Sequence, residues 1–319
     1  MDLLYHYGSN QGCFGILNDK SIRMSDIRKS NDSEELVLLY PDIYEQILIM
    51  FRKSPFEFRY EGQTGEVALR SLIDITDCMI DDSIECGDFS NFVVCFSEKA
   101  DLLSQWRGYA NNGQGISIGF SKELLQKKCD DEHSIFRLER VEYITEKERQ
   151  QIIKNYATKA LEMLRDLRKW IVAKMTNDDT SSDTDDLLGF NFHGWVESLL
   201  TDSLKYKQVG FKEEKEWRLF LNNQAYKNPE WVLGQSCEMK GPNGFSETLS
   251  FLRNRISFNI TDNNISPYVP LPFSELGENI VKSIWIGPKS QIASQDMKLY
   301  LAQHGYENVE IFFSGTSFR

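Results

Sequence analysis

The pattern that most restricts the fold of this chain is the placement of its β-prone segments, which lie toward both ends and leave a helical stretch between them. Leu3-Leu4-Tyr5-His6-Tyr7 is rich in aromatic and aliphatic residues and is broken by Gly8-Ser9-Asn10, while Ile22-Arg23-Met24-Ser25 alternates like a half-buried strand. Phe92-Val93-Val94-Cys95-Phe96-Ser97 and Gly115-Ile116-Ser117-Ile118-Gly119-Phe120 read as two further strands, and Asp101 to Tyr109 as a helical turn between them. Strand signals return at 216–221, 255–259, 268–271, 283–286 and 309–313, with a helix expected over 291–303. Strands at both ends with helices inserted between them predict an α+β fold whose sheet draws on both ends of the chain. Its central sheet is expected to be mixed or antiparallel, not a doubly wound βαβ array. Neither an internal repeat nor a Pro/Gly/Ser linker interrupts the 319 residues. A single domain over 1–319 with a helical insertion at 145–210 is therefore expected.

The clearest helix begins at Thr145-Glu146-Lys147-Glu148, a capping box, and runs to about Lys174. At 100° per residue Ile153, Tyr156, Ala160, Leu164, Leu167 and Ile171 fall on one arc, with Lys147, Lys154, Arg165, Arg168 and Lys169 opposite. That basic face over 147–174 is the one surface on which nucleic acid is a conceivable partner. Ser30-Asn31-Asp32-Ser33-Glu34-Glu35 offers caps and first-turn acids for another helix start, and a further helix is expected from Leu187 to Tyr206. The acidic run 176–186 reads as a solvated, mobile loop; it lacks the Gly and closing Glu of an EF-hand.

Charge narrows the function classes. The chain carries 36 Lys+Arg against 48 Asp+Glu, a net charge of −12 that disfavours binding of nucleic acid over the whole surface. The excess is local, however. Residues 1–138 hold 14 bases and 23 acids, and 176–186 hold five Asp and no base, whereas 187–319 are close to balanced with 13 and 14. No apolar run approaches the length of a membrane span, and the first residues lack a basic segment followed by an apolar one, so neither membrane nor secretion is expected. Six cysteines without a CxxC pair suggest reduced thiols and a cytoplasmic setting.

Most catalytic signatures are missing. The four histidines at 6, 133, 193 and 304 have no zinc-ligand spacing, so no metal site is expected. Gly113-Gln114-Gly115 followed by Gly119 leads into a strand rather than out of one, which excludes a dinucleotide fingerprint. No GxxxxGK[ST] and no GxSxG occurs. What remains is polar residues attached to strands: His6 between two tyrosines, Ser97-Glu98 at the end of an apolar strand, and Glu213-Glu214-Lys215-Glu216-Trp217-Arg218. Glu214 and Glu216 would share one strand face with Lys215 on the other. Two acids so placed repel, which raises one pKa and suits acid/base or oxocarbenium chemistry.

Seven segments occur in an order that resembles a known family. They are Tyr5-His6-Tyr7-Gly8-Ser9, Ser30-Asn31-Asp32-Ser33-Glu34, Cys95-Phe96-Ser97-Glu98, Gln105-Trp106-Arg107-Gly108-Tyr109-Ala110, Glu216-Trp217-Arg218, Ile286-Gly287-Pro288 and Ser314-Gly315-Thr316-Ser317-Phe318-Arg319. Together they resemble the bacterial domain-of-unknown-function family numbered 2971, with Ser33 in place of the usual proline. That family name implies no activity.

A more distant resemblance is to ADP-ribosyltransferases, which split the nicotinamide–ribose bond of NAD and pass ADP-ribose to an acceptor. It implies an ADP-ribosyltransferase-like fold and NAD as substrate. His6, with Tyr5 beside it, would meet the ribose or diphosphate; Ser97 would support the sugar; Trp106 or Tyr109 would stack on nicotinamide. Glu216 would hold the ribose 2′-hydroxyl and stabilise the oxocarbenium-like transition state, while Glu214 would orient the acceptor. By the same analogy the setting would be a toxin or an anti-phage defence effector. Two other readings stay open. One is an Mg²⁺-dependent nuclease using Asp32 and Glu213/Lys215, with the basic helix face on the nucleic-acid backbone. The other is a partner-binding module in which Trp106, Tyr109 and Trp217 form core or interface.

Overall fold

The computed structural model describes residues 2–27, 38–86, 92–130, 134–174, 181–221, 255–261 and 264–317. The first part of the chain forms β1 (Leu3–Gly8), α1 (Asn10–Asn18), β2 (Ser21–Asp26), α2 (Tyr40–Lys53), the hairpin β3 (Arg59–Tyr60) and β4 (Gln63–Thr64), and α3 (Gly65–Cys86). Then come β5 (Phe92–Ser97), α4 (Leu103–Gly108), β6 (Ile116–Ser121), α5 (Lys122–Cys129), β7 (Phe136–Arg140), β8 (Glu142–Ile144), α6 (Glu146–Lys174) and α7 (Ser181–Ser203). The last part holds β9 (Tyr206–Gln208), a 3-10 turn (Val209–Glu214), β10 (Glu216–Leu221), β11 (Ser257–Thr261), β12 (Asn264–Pro272), α8 (Phe273–Leu276), β13 (Val281–Ile286), α9 (Ser294–Gln303) and β14 (Glu310–Phe313).

Ten strands make one sheet organised around β5. One edge of β5 pairs with β10, beyond which lies β7. Its other edge is shared: β2 takes the start (Ser25↔Val93) and β1 takes the end (Tyr5↔Ser97). Beyond β1 follow β6, β13 and β14, and beyond β2 follow β12 and β11, so the sheet forks at β5. Only β13–β14 is parallel among these pairs. The fold is therefore α+β with a mixed sheet drawn from both ends of the chain, as the strand order predicts.

Register assigns the faces. Val93, Cys95 and Ser97 share a face with Phe220, Arg218 and Glu216, while Val94 and Phe96 share the other with Leu219 and Trp217. On the first face α2, α3, α6 and α7 bury Ile43, Ile47, Leu69, Leu72, Leu164 and Leu199 with Val93 and Phe220. On the second, α1, α5, α8 and α9 bury Leu17, Leu125, Phe273 and Leu301 with Val94, Phe96 and Leu219. At about 1.5–3 kcal/mol for each fully buried aliphatic or aromatic side chain, these two layers are the main stabilising contribution.

The helices depart from expectation in two places. Residues 40–53 and 65–86 were not assigned by periodicity, yet α2 packs on α6, and α3 on α7, so helical structure extends well beyond 145–210. The acidic run expected to remain a loop to residue 186 enters α7 at Ser181. Acids suit a helix N-terminus electrostatically, and the Asp185 carboxylate accepts a hydrogen bond from the Glu61 backbone N–H at 2.8 Å. The helix expected to start at Ser30 lies outside the described residues. α6 itself follows the sequence: Thr145 and Glu148 form a reciprocal cap, and Ile153, Ala160, Leu164, Leu167 and Ile171 are buried. Its basic side is not an open stripe, since Arg165 lies over the Phe56 ring at 4.9 Å and Arg168 is half-buried.

The glycines discarded as a nucleotide fingerprint have a packing role. A Cβ on Gly115 would fall on the Gly8 carbonyl oxygen, and one on Gly287 would lie 2.5 Å from the Gly113 carbonyl oxygen. Three strands come together there through their backbones alone.

Candidate functional site

The carboxylate pair singled out in the sequence is the centre of a buried ionic cluster on the sheet face that carries α2, α3, α6 and α7. Glu216 opens β10 and registers directly opposite Ser97 of β5, which in turn registers opposite Tyr5 of β1. Tyr5, Ser97 and Glu216 thus form a row across three neighbouring strands. Glu214 is not on the strand, as simple alternation would have it, but ends the 3-10 turn. Lys215 between them adopts a left-handed conformation (φ 46°, ψ 52°), and both acids turn inward.

The two carboxylates share one cation. Lys207 Nζ donates to Glu214 Oε2 at 2.8 Å and to Glu216 Oε2 at 3.3 Å. Arg218, two residues after Glu216 and so on its face, donates through Nε to Glu216 Oε1 at 2.7 Å and through Nη1 to the Leu204 carbonyl at 2.9 Å. Relative exposures of 7% for Glu214, 6% for Glu216, 3% for Lys207 and 1% for Arg218 make this a desolvated network, so each charge depends on its partners. The Glu216 backbone N–H donates to the Tyr143 hydroxyl at 2.8 Å, and the Tyr109 hydroxyl donates to Glu214 Oε1 at 3.4 Å. Tyr109 is 39% exposed and forms the solvent-facing side of the cluster.

The environment drives the two acids apart. Burial, with the Glu216 charge beside it, pushes the Glu214 carboxyl above its ordinary range despite the pull of Lys207. Burial also opposes ionisation of Glu216, but the Arg218 and Lys207 charges outweigh it and hold that carboxyl below the usual range. Tyr143 is pushed up to about 12, chiefly by burial. One acid kept ionised and a neighbour able to carry a proton is the division of roles that paired carboxylates need for acid/base work.

The other sequence candidates are dispersed around this cluster. Ser97 Oγ donates to the Glu214 carbonyl at 2.7 Å and accepts from the Lys99 N–H at 3.1 Å, so it fixes the turn carrying Glu214. His6 lies on the opposite face from Tyr5, Ser97 and Glu216. Its Nδ1 is 3.0 Å from the Cys95 carbonyl, its ring meets Phe96 edge-on, and burial pushes its pKa down. The face of the Tyr5–Ser97–Glu216 row is shared by Tyr7, not by His6. Trp106 is fully buried, with Nε1 donating to Asp101 Oδ1 at 2.6 Å, so of the two expected stacking residues only Tyr109 reaches solvent. Asp32 lies outside the described residues, and Glu213 is exposed on the turn. Among the described residues no group of three His, Cys, Asp or Glu could hold a metal ion, and no helix is long and apolar enough to cross a membrane.

Three members of the cluster carry no signal as separate residues. Lys207 lies on a short strand that the sequence does not mark; a strand ending near Tyr143 is legible before the capping box at Thr145, though nothing there singles out the tyrosine. Arg218 stands in the sequence only as a member of the charged run 213–218; its i+2 position relative to Glu216 is the clue that an ion pair on one strand face is available.

Residues 105–219, which include Tyr109, Tyr143, Lys207, Glu214, Glu216 and Arg218, match a family described as protein of unknown function, DUF2971. The match covers Gln105–Ala110 and Glu216–Arg218 of the motif series and stops short of the segments toward either end. No curated protein and no solved structure matches the chain.

Proposed function

We propose that the protein is an NAD-consuming enzyme of the ADP-ribosyltransferase type, breaking the nicotinamide–ribose bond and passing ADP-ribose to an acceptor or to water. The observation that supports it is the row Tyr5–Ser97–Glu216, in which one carboxylate is kept ionised beside a second whose pKa is moved the other way. In this reading the Glu216 anion holds the ribose 2′-hydroxyl and stabilises the positive charge that develops as neutral nicotinamide leaves. Glu214 accepts the proton of the attacking acceptor or water, which its raised pKa favours. Tyr109 stacks on the nicotinamide ring, and the ligand approaches the carboxylates from its side of the cluster. A toxin or defence setting would follow from such an activity.

The test is release of nicotinamide from NAD without added divalent metal. Glu216→Gln should abolish release under conditions where its circular dichroism shows it still folded, because the amide keeps the shape and removes the anion, although the loss of a partner for Arg218 and Lys207 lowers its unfolding midpoint. A parent protein that releases no nicotinamide and labels no acceptor, or a Glu216→Gln variant as active as the parent, would falsify the reading. Cleavage of nucleic acid that requires Mg²⁺ would favour the nuclease instead.

A further inference from the structure

We infer that the segment Ser314–Thr316 is a latch on α4 that holds Tyr109 at the carboxylate pair, with Asp101 as the positioning residue. The inference rests on the proposed NAD chemistry for its effect on turnover; the latch itself rests on contacts. The Asp101 carboxylate accepts four hydrogen bonds: from Trp106 Nε1 at 2.6 Å, Ser314 Oγ at 2.5 Å, Thr316 Oγ1 at 2.8 Å and the Gly315 N–H at 2.8 Å. Three of the four come from one stretch of three residues more than 200 positions away. That stretch is fixed to the sheet, since Ser314 N–H donates to the Ile286 carbonyl of β13 at 2.9 Å. It is folded on itself by a Thr316 N–H to Ser314 Oγ bond of 3.1 Å.

α4 depends on these anchors. It has six residues, too few to persist through its own hydrogen bonds. Trp106 is its fully buried member, packed edge-on to Tyr7 with centroids 4.7 Å apart. The Tyr7 hydroxyl fixes the approach to the helix by donating to the Lys99 carbonyl at 2.7 Å and accepting from the Leu102 N–H at 3.1 Å. Tyr109 follows Trp106 by three residues, on the same side of the turn, and its hydroxyl reaches Glu214. Ser314–Thr316 thus hold Asp101, Asp101 holds Trp106, and the same short helix leads within three residues to Tyr109, whose hydroxyl touches the proton-carrying acid. Asp101, Trp106 and Ser314–Thr316 lie outside the ionic cluster, and Tyr109 is where they meet it. Asp101 acts through Trp106 and touches no reacting group; it positions.

The experiment compares the parent with a chain ending at Phe313, with Asp101→Asn, and with the milder pair Thr316→Ala and Thr316→Ser. Amide exchange of 103–113 should become about tenfold faster in the shortened chain and in Asp101→Asn, with 216–221 unchanged, as expected for a local opening. Thr316→Ser, which keeps the hydroxyl, should restore protection that Thr316→Ala loses. In nicotinamide release kcat should fall about tenfold, while the fall vanishes when Tyr109 is already Ala and no ring remains to be positioned, because coupled residues are not additive. Unchanged exchange at 103–113, or losses that add to those of Tyr109→Ala, would overturn the latch. Should the parent release no nicotinamide, the enzymatic reading fails, and the exchange and Thr316 comparisons still decide the latch.

Discussion

Lys207 holds two carboxylates at once, and the cost of losing it falls on both. Removing one partner from a buried ionic network leaves an uncompensated charge, which costs about 3–5 kcal/mol. Lys207→Met should therefore destabilise the protein by about that amount, read as a lower midpoint in urea unfolding at neutral pH. The pH dependence has a definite sign. Asp101 and Glu216 are both held below the ordinary carboxylate range, so they stabilise the fold at higher pH and lose that contribution as pH falls through their folded values. At Asp101 burial opposes this, but hydrogen bonds from Ser314, Trp106, Thr316 and Gly315 prevail. Glu214 works in the other direction: its raised pKa stabilises the fold at low pH and is lost as pH rises through the folded value. Asp101→Asn should accordingly flatten the decline in stability below about pH 4, measured as unfolding midpoint against pH. At this scale the sequence disclosed the acids and hid their partners. Three carboxylates crowded before Trp217 announce a site, but the cation between them comes from a three-residue strand whose side chain is indistinguishable from any surface lysine until the turn at Lys215 brings it in.

Elements were legible where a local rule decides them. β10 has the expected bounds because Trp217-Arg218-Leu219-Phe220-Leu221 is strongly β-prone, and α6 starts at its capping box because Thr145 and Glu148 satisfy each other's backbone groups. α2 does carry local signals, with Pro41 and Asp42 in its first turn and Arg52 and Lys53 in its last, and lacks only a side-chain cap at Leu39; α3 carries an acidic run with no base and is held by packing on α7. The close approach at Gly115 gives a sharper expectation. Gly115→Ala would put a methyl group onto the Gly8 carbonyl, and neither backbone can yield without parting β1 from β6. It should cost more than about 3 kcal/mol, toward the upper end of single substitutions, and appear as loss of soluble protein or a depressed Tm.

For the molecule as a whole, the order of strands along the chain foretold a sheet joining both ends, while the fork at β5 and the helical layer were beyond reach. Those depend on which edge of β5 each strand takes, a choice made by packing between residues far apart in sequence. The same connectivity governs how the protein must be made. β2 (Ser21–Asp26) finds β12 (Asn264–Pro272) only after most of the chain has been synthesised, a wait of roughly ten to fifty seconds at 5–20 residues per second. Throughout that interval one edge of β2 offers unpaired backbone groups to any neighbouring polypeptide. Ribosome-bound chains that end before β12 should therefore stay protease-sensitive and chaperone-associated, and protection should arise only once that strand has emerged.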